Sequence, residues 1–421
     1  MSTDPVEDIR PDYFKPNYDK SAIAPFTLED PLTFLDGSRV ASPADWPRRR
    51  REILDIFASE MYGVEPPAPK ELWIDKIEEK SDALAGFAVR SQYRMRFLPD
   101  GGPEIDWLLL RPRHAKKPVP VILFLNYRGN HELIPDAEVV IPDMWYRETA
   151  DHKTPGVRGI MCDPDQDSVM PIGMLLAAGC AVMTACYCQV SPDPDPWEKE
   201  ERFQQDRFAY TGVFDLWGER DESRTDNTTA LGAWAWALSR GLDLAERIPE
   251  LDAKQAVVTG CSRLGKSALL AAARDERFAV CVPNQCGGGG ATLAKRDYGE
   301  NIATEMEEFH HWYCRAYKKY ERNPAKLLTF DQHLLLAAVA PRKLLIEGYD
   351  SPWFDTEGEF LACRAASPVW ELFGLPGLPA VDFPGDFDTS AIGPYLGYYH
   401  RSEEHGIAAF DWYRLLKFIG R

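Results

Sequence analysis

The chain has 421 residues, of which 45% are hydrophobic, and it carries a net charge of −18. That length and hydrophobic content suffice for a large buried core. The negative charge argues against a nucleic-acid-binding protein, which needs clustered cationic side chains to neutralise phosphates. No apolar stretch approaches the roughly 20 residues that a membrane-spanning helix needs. The nine cysteines are odd in number and scattered, so neither a disulfide framework nor a metal cluster is predicted.

The first part of the chain predicts an irregular arm, one helix and then several strands. Residues 1–40 predict an N-terminal arm. Apolar residues at helical spacing predict a helix over Pro43–Tyr62. The stretches Trp73–Leu98 and Trp107–Arg111 indicate strands at an antiparallel edge. Val119–Asn126 (VPVILFLN) is a nearly continuous apolar run, which is typical of a strand covered on both faces.

Strands and helices alternate through the rest of the chain. The predicted strands are Cys180–Cys186, Gln255–Thr259, Val280–Pro283 and Arg342–Glu347. The predicted helices are Met174–Ala178, Thr229–Ala245, Ser267–Ala273, Gly358–Phe373 and Phe410–Ile419. This alternation predicts an α/β fold with a mostly parallel sheet. Residues 41–421 are expected to form a single domain, with a surface insertion around residues 190–228, which are rich in Asp, Pro, Glu and Arg.

The stretch TGCSRLGKS matches two motifs that imply different enzymes. From Gly260 to Ser267 it fits the phosphate loop G-x-x-x-x-G-K-[ST]. It also fits a nucleophile elbow, in which Ser262 stands on a tight turn between a strand and a helix. The phosphate loop needs a magnesium-holding acid on a neighbouring strand, for which LLIEGYD is a weak candidate. The elbow lacks its usual second glycine, because Leu264 stands in that place.

Residues further along the chain favour the elbow. A serine nucleophile needs a base to take its proton and an acid to orient that base. Asp350 follows the strand RKLLIE and His405 precedes the last predicted helix, which gives the order serine, acid, histidine of this fold class. Ser262, Asp350 and His405 are therefore the predicted triad. Other residues remain open as alternatives, and these are Asp355, Glu347 and Glu359 for the acid and His400 for the base.

Longer motifs resemble those of a known family. They are LNYRGNHEL, LGAWAWALSRGLD, TGCSRLGKSALLAAARDERF, FDQHLLLAAVAPRKL, GEFLACRAASPVWELFG and EHGIAAFDW. Between about Trp46 and Trp412 the chain resembles the bacterial glucuronoyl esterases of carbohydrate esterase family 15. The resemblance implies a three-layer α/β/α sandwich of the α/β-hydrolase type. It also implies that the chain hydrolyses esters of (4-O-methyl)glucuronic acid, as in the ester links between glucuronoxylan and lignin, through an acyl-enzyme.

The resemblance implies catalytic roles at the elbow. Ser262 would be the nucleophile and His405 the base, while Arg263 would stabilise the oxyanion with its backbone N–H and its guanidinium. Fungal members carry the triad acid at the position that Gln285 holds here. An amide carries no negative charge, so the acid is expected on a later strand, as in bacterial members, and this supports Asp350.

On the sugar side, the resemblance implies that Lys266 hydrogen-bonds sugar hydroxyls and that Trp353 packs beside the 4-O-methyl group. Glu305 and His311 are the candidates to replace the sugar-binding Gln and Glu of fungal members. No metal or organic cofactor is expected. An esterase for acetyl or feruloyl sugar esters and a sugar-binding protein with a decayed site are the alternative functions.

The N-terminus, MSTDPVEDIRPDYFKPNYDK, lacks the basic and apolar regions of a signal peptide. The sequence as it stands therefore predicts a cytoplasmic protein, or a secreted or periplasmic one if a leader was removed. The expected partner is a glucuronoxylan or another glucuronate ester, with no nucleic acid and no membrane, and the expected state is a monomer.

Overall fold

The computed structural model describes residues 15–163, 168–196 and 208–421. In this part of the chain nine strands form one sheet, in the order β1-β2-β3-β5-β4-β6-β7-β8-β9. Their bounds are β1 Trp73–Asp82, β2 Ala88–Arg96, β3 Glu104–Pro112, β4 Val119–Asn126, β5 Ala181–Cys186, β6 Leu251–Cys261, β7 Val280–Asn284, β8 Lys343–Tyr349 and β9 Leu396–Arg401. The sequence pattern did not predict β9.

Helices lie between these strands and at both ends of the sheet region. The longer ones are α1 Trp46–Phe57, α2 Ile172–Ala177, α3 Ala230–Ala245, α4 Arg263–Arg274, α5 Ile302–Glu308, α6 Gln332–Ala337, α7 Thr356–Leu372 and α8 Ala409–Phe418. Short helical turns lie at Ala83–Gly86, Asn130–Leu133, Tyr187–Val190 and Pro324–Leu327. The helix predicted over Pro43–Tyr62 is α1 followed by a π-helical turn, Ala58–Tyr62. Helix α4 begins four residues before its predicted start, directly after Ser262.

The sheet has an antiparallel part and a parallel part. Strands β1, β2, β3 and β5 pair antiparallel, while β5, β4, β6, β7, β8 and β9 pair parallel. The carboxyl ends of parallel strands share one edge, where open α/β sheets place their ligands. Ser262 follows β6, Gln285 follows β7, Asp350 follows β8 and His405 lies in the loop after β9. The topology thus brings these four residues to the same edge.

Both faces of the central strands are buried. In β4, Val121, Leu123 and Leu125 face a core that also holds residues of α1, α3, α4, α6 and α7. The intervening Ile122 and Phe124 face a second core with residues of α2 and α8. Successive side chains of a strand point to opposite faces, so β4 serves both cores at once. The result is a three-layer α/β/α sandwich, which confirms the predicted fold class.

The segment before α1 packs on the sheet region. Of the predicted arm, residues 1–14 lie outside the described residues. Within 15–40, Phe34 and Val40 are buried in the core, and Lys295 Nζ donates to Glu29 Oε1 at 2.6 Å. Of the predicted insertion, residues 197–207 also lie outside the described residues. In the ranges described, no helix has both the length and the apolar character needed to cross a membrane.

Candidate active site

Ser262 stands on a strained turn between β6 and α4. Its backbone has φ 54° and ψ −128°, a conformation that costs a residue other than glycine about 1–3 kcal/mol. Two hydrogen bonds hold it: Ser262 N donates to Asn284 O at 2.9 Å, and Lys266 N donates to Ser262 O at 3.0 Å. This is the geometry of a nucleophile elbow, in which the turn presents the serine hydroxyl at the edge of the sheet.

Two glycines allow the backbone of the elbow to pack closely. A Cβ on Gly260 would lie 2.4 Å from Leu264 O, and a Cβ on Gly265 would lie 2.8 Å from Asn284 O. Both contacts are with backbone, which cannot move aside cheaply. The second small residue of this elbow is therefore Gly265 rather than the residue at position 264, and this explains why the motif looked imperfect.

The surroundings of Lys266 disfavour the phosphate-loop interpretation. Its Nζ donates to Gly288 O at 2.5 Å, Glu300 Oε2 at 2.9 Å and Glu305 Oε1 at 3.4 Å. These acceptors use all three N–H groups of the ammonium, and the residue is only 2% exposed. Burial disfavours the ammonium, but Glu300 and Glu305 outweigh it and hold the pKa of Lys266 above its ordinary value. The Glu300 carboxylate, which already pairs with Lys266, would repel a phosphate at this point.

His405 lines the same cavity as Ser262. The cavity has a volume of about 210 Å³, and Arg263 and Gly406 also line it. The imidazole ring packs against Phe354 and Tyr349, with centroids 4.8 and 5.6 Å away.

The alternative base, His400, is buried in β9, where its Nε2 lies 3.0 Å from Pro384 O. Of the two candidate bases, the structure therefore brings His405 into the cavity of Ser262.

An amide rather than a carboxylate contacts the imidazole ring of His405. His405 Nδ1 lies 2.7 Å from Gln285 Oε1. The predicted acid, Asp350, is exposed, and its backbone N–H donates to Arg401 O at 2.8 Å. Asp350 directly follows Tyr349, whose ring packs on the imidazole.

The other candidate acids have structural partners. Asp355 accepts from Arg296 Nε at 2.7 Å and caps α7 through Gly358 N at 3.2 Å. Glu347 Oε2 accepts from Asn284 Nδ2 at 2.7 Å, and Glu359 Oε1 accepts from Gly287 N at 3.1 Å. Burial raises the pKa of both glutamates well above the ordinary value. These contacts account for the three residues without a catalytic role.

Arg263, the first residue of α4, is fixed beside Ser262. Its Nη1 donates to Asp193 Oδ2 at 2.5 Å, and its guanidinium lies 4.9 Å from the centre of the Trp312 ring. Burial disfavours the cation, but the Asp193 carboxylate outweighs burial, so the pKa of Arg263 is raised above its ordinary value. The side chain remains 18% exposed, towards the cavity that it lines.

Asp193 is a fully buried carboxylate that the sequence analysis did not single out. Besides Arg263 it accepts hydrogen bonds from Arg147 Nη1 (2.6 Å), Tyr187 Oη (3.1 Å), His311 Nε2 (2.7 Å) and Trp312 Nε1 (2.8 Å). Burial opposes its ionisation, but Arg147 and Arg263 outweigh burial and hold its pKa well below the ordinary value.

His311 is therefore placed differently from the expectation that it contacts sugar. It is fully buried and belongs to the hydrogen-bond set around Asp193. Burial lowers its pKa, which favours the neutral ring that donates from Nε2.

The expected sugar-side residues lie at different depths. Glu305 is buried beside Lys266, accepts from Tyr313 Oη at 2.5 Å, and has its pKa raised to about 7 by burial. Trp353 is partly exposed, and its carbonyl oxygen accepts from Glu300 N at 2.8 Å. Glu300, which the sequence analysis missed, thus connects Lys266 to the Trp353 segment.

Comparisons with known proteins give one consistent group of relatives. A family described as glucuronyl esterase, fungi, matches residues 193–374. The carbohydrate esterase MZ0003 of an unknown prokaryotic organism is 33% identical over 408 residues, which cover 94% of this chain and 89% of the relative. A 4-O-methyl-glucuronoyl methylesterase of Schizophyllum commune is 26% identical, covering 83% of this chain and 74% of its own.

Solved structures agree with the sequence relatives. A glucuronoyl esterase from Solibacter usitatus superposes with a TM-score of 0.85 and 33% identity, over 95% of this chain and 99% of that one. A promiscuous CE15 esterase from a marine bacterial metagenome gives a TM-score of 0.84 and 32% identity, over 96% and 99% of the two chains. Likeness therefore extends over nearly the whole chain.

Proposed function

This chain belongs to the glucuronoyl esterases of carbohydrate esterase family 15, and we propose that it uses Ser262 and His405 to hydrolyse esters of 4-O-methylglucuronic acid. The observation that carries the assignment of residues is the strained Ser262 of the elbow, which shares one cavity with His405 and Arg263. The natural leaving alcohol that we propose is a lignin alcohol esterified to glucuronoxylan.

In the proposed reaction Ser262 Oγ attacks the ester carbonyl while His405 Nε2 takes its proton. His405 then gives this proton to the leaving alcohol, and a water molecule hydrolyses the acyl-enzyme with His405 again as the base. Arg263 is the first residue of α4, so its N–H has no acceptor within the helix and can donate to the oxyanion beside the guanidinium. One such donor contributes about 3 kcal/mol to the transition state.

The sugar contacts that we propose follow the depth of each residue. Trp353 is partly exposed and would meet the uronate ring directly, while the Glu300 side chain, only 7% exposed, lies between Lys266 and the Trp353 segment. Lys266 and Glu305 lie one layer deeper, with all three N–H groups of Lys266 already used. They would reach a sugar hydroxyl if the bond between Lys266 and Glu300 were exchanged for one to the sugar.

We propose Asp350 as the source of negative charge near His405. It adjoins Tyr349, which packs on the imidazole, whereas Asp355 is neutralised by Arg296. Asp350→Asn should lower kcat more than Asp355→Asn when both are measured on folded protein, with Asp355→Asn costing mainly stability. The opposite ranking of kcat would assign the charge to Asp355.

The substrate class is tested by comparing rates on matched esters. The methyl ester of 4-O-methylglucuronic acid places the sugar on the acyl side, whereas acetyl and feruloyl sugar esters place it on the alcohol side. Glu300 accepts from Lys266 of α4, and its N–H donates to Trp353 O. Because these proposed sugar contacts are tied to the helix that follows Ser262, the uronate ester should give the higher kcat/KM. A higher kcat/KM on the acetyl or feruloyl ester would favour the alternative function.

A further inference from the structure

We propose that Gln285 is a positioning residue that fixes the reactive tautomer of His405, and that it does so as an amide rather than as a replaced carboxylate. The inference rests on the proposed function, in which His405 is the base that activates Ser262. It separates two tasks that a triad acid ordinarily combines, orientation of the imidazole and supply of negative charge.

The backbone of Gln285 is held in an uncommon conformation. The residue is fully buried and has a φ of 49°, a backbone angle that residues other than glycine rarely adopt. Its N–H donates to Glu347 O at 2.5 Å, and the carbonyl of the preceding Asn284 accepts from Ser262 N at 2.9 Å. Strained residues of this kind persist where the surroundings hold them, and they concentrate at functional sites. The strand ends that hold the nucleophile therefore also hold Gln285.

The main chain of Gly406 determines which way the Gln285 amide points. Gly406 N donates to Oε1 at 2.8 Å, and Gly406 O accepts from Nε2 at 3.0 Å. A backbone N–H can only donate and a carbonyl oxygen can only accept, so one orientation of the amide satisfies both. Since Gly406 directly follows His405, the same two bonds also hold the loop that carries the base.

This orientation determines which nitrogen of His405 carries the proton. Gln285 Oε1 is an acceptor and lies 2.7 Å from His405 Nδ1. Nδ1 must therefore be the protonated nitrogen of the neutral ring. Nε2 then has the lone pair that is needed to take the proton of Ser262.

A carboxylate in place of the amide would not reproduce these contacts. One oxygen could accept from Nδ1 and from Gly406 N, but the other would replace Nε2 and face the Gly406 carbonyl oxygen without a hydrogen between them. Arg401 Nη2 also donates to this carbonyl oxygen, but of the two forms of a carboxyl group only the protonated one could itself donate to it as the amide does. The backbone around Gln285 is thus built for an amide.

Each element packed around this position carries charged or titratable residues. They are His405 and Glu404 in the loop, Glu347 in β8, Asp350 after β8, Arg401 in β9 and Asp411 in α8. Arg401 is the cation of the set, and Asp411 already pairs with it at 2.8 Å. A carboxyl group introduced at this fully buried position should therefore have a raised pKa.

The first test replaces Gln285 by methionine, which keeps the length of the side chain but removes both hydrogen-bonding ends. Gln332→Met is the matched control, because Gln332 is also buried and donates to Gly290 O at 2.6 Å and Tyr62 Oη at 3.0 Å. Gln285→Met should lower kcat by roughly 100-fold with little change in KM. Gln332→Met should affect stability alone. Equal kcat values for the two variants would overturn the proposal.

The second test is the pH profile of Gln285→Glu. The protonated carboxyl copies the amide pattern, so this variant should be active on the acid side of the profile. Activity should then fall as pH rises through the pKa of the introduced group, while the parent stays active. Activity equal to or above the parent at every pH would show that a carboxylate serves equally well, and the proposal would be wrong.

The third test reads the tautomer directly, from nitrogen chemical shifts of the His405 ring in the resting enzyme. The parent should show Nδ1–H, and Gln285→Met should show a mixture of both tautomers. A parent with Nε2–H would overturn the proposal. Because no substrate is present, failure of the parent to hydrolyse glucuronate esters would count against the proposed function and leave this measurement valid.

Discussion

Asp193 shows how one buried carboxylate can organise the surroundings of the proposed catalytic residues. It accepts from two arginines, a tyrosine, a histidine and a tryptophan, and its own side chain is fully buried. Attraction between Asp193 and the two cations is strong because little water screens it. The position of the Arg263 guanidinium therefore depends on a residue 70 positions away in the chain.

Asp193→Asn is expected to lower kcat at least about tenfold, since preorganised donors at the oxyanion make large contributions. It should also cost about 3–5 kcal/mol of unfolding free energy, because Arg147 and Arg263 lose their buried counter-charge. Steady-state kinetics and urea unfolding measure the two effects.

The control for this prediction is Asp195→Asn. Asp195 also pairs with Arg147, but its side chain is 41% exposed, and such pairs contribute about 0–1 kcal/mol. If the two variants had the same kcat, Asp193 would not position Arg263 for catalysis.

At the residue scale, the motifs identified candidates but not their contacts. Spacing around the elbow predicted Ser262, and chain order predicted His405. The same reasoning rejected Gln285 as a triad residue because it carries no charge. Its amide nevertheless contacts His405, which lies 120 residues further along the chain. Asp193 carried no local signal at all. A motif specifies residue types, whereas hydrogen bonds between distant loops depend on the fold that brings them together.

At the scale of elements, the elbow between β6 and α4 depends on close backbone packing. A Cβ on Gly260 would lie 2.4 Å from Leu264 O and 2.6 Å from Leu264 C. Gly173 in α2 is packed much less closely, because a Cβ there would meet no atom within 4 Å.

Gly260→Ala should therefore destabilise the protein by about 1–3 kcal/mol through overpacking, and it should lower kcat by shifting the turn under Ser262. Gly173→Ala is the control and should gain up to about 1 kcal/mol from helix propensity. Thermal unfolding and ester hydrolysis of both variants check this. An unchanged melting temperature and kcat in Gly260→Ala would contradict the packing argument.

Prediction of the elements succeeded where the sequence pattern was local. The apolar run of β4 predicted its bounds as observed, Val119–Asn126. Strand β9, LGYYHR, was missed because its last two residues are polar and yet buried. Arg401 is accommodated by Asp411 of α8 and His400 by the carbonyl of Pro384. Those partners come from other elements, so a window on the strand alone does not reveal them.

At the scale of the whole molecule, His333 joins the N-terminal segment to α6. Its Nε2 lies 2.7 Å from Glu29 O, and burial lowers its pKa to about 4. The unfolded chain binds this proton near the ordinary value of about 6.5. The native state resists protonation of His333 until lower pH. The contribution of neutral His333 to the free energy of unfolding is therefore fully present above about pH 6.5, and it is lost as pH falls towards about 4.

His333→Gln keeps a donor near Glu29 but cannot titrate. Relative to the parent, this variant should gain about 2 kcal/mol of unfolding free energy when pH is lowered from about 7 to about 5. Other buried groups shift with pH in both proteins, so the difference between the two isolates His333. Urea unfolding at the two pH values measures it. A constant difference would mean that His333 titrates normally in the native state.

The nine-stranded sheet brings a serine, an amide, an acid and a histidine to one edge, where we propose that catalysis takes place. The central claim is that Ser262 is the nucleophile of a glucuronate esterase. The measurement that tests it most directly is kcat of Ser262→Ala on the methyl ester of 4-O-methylglucuronic acid, with unfolding curves to show that the fold is kept. A decrease of at least roughly 10³-fold is predicted, and a rate equal to that of the parent would contradict the claim.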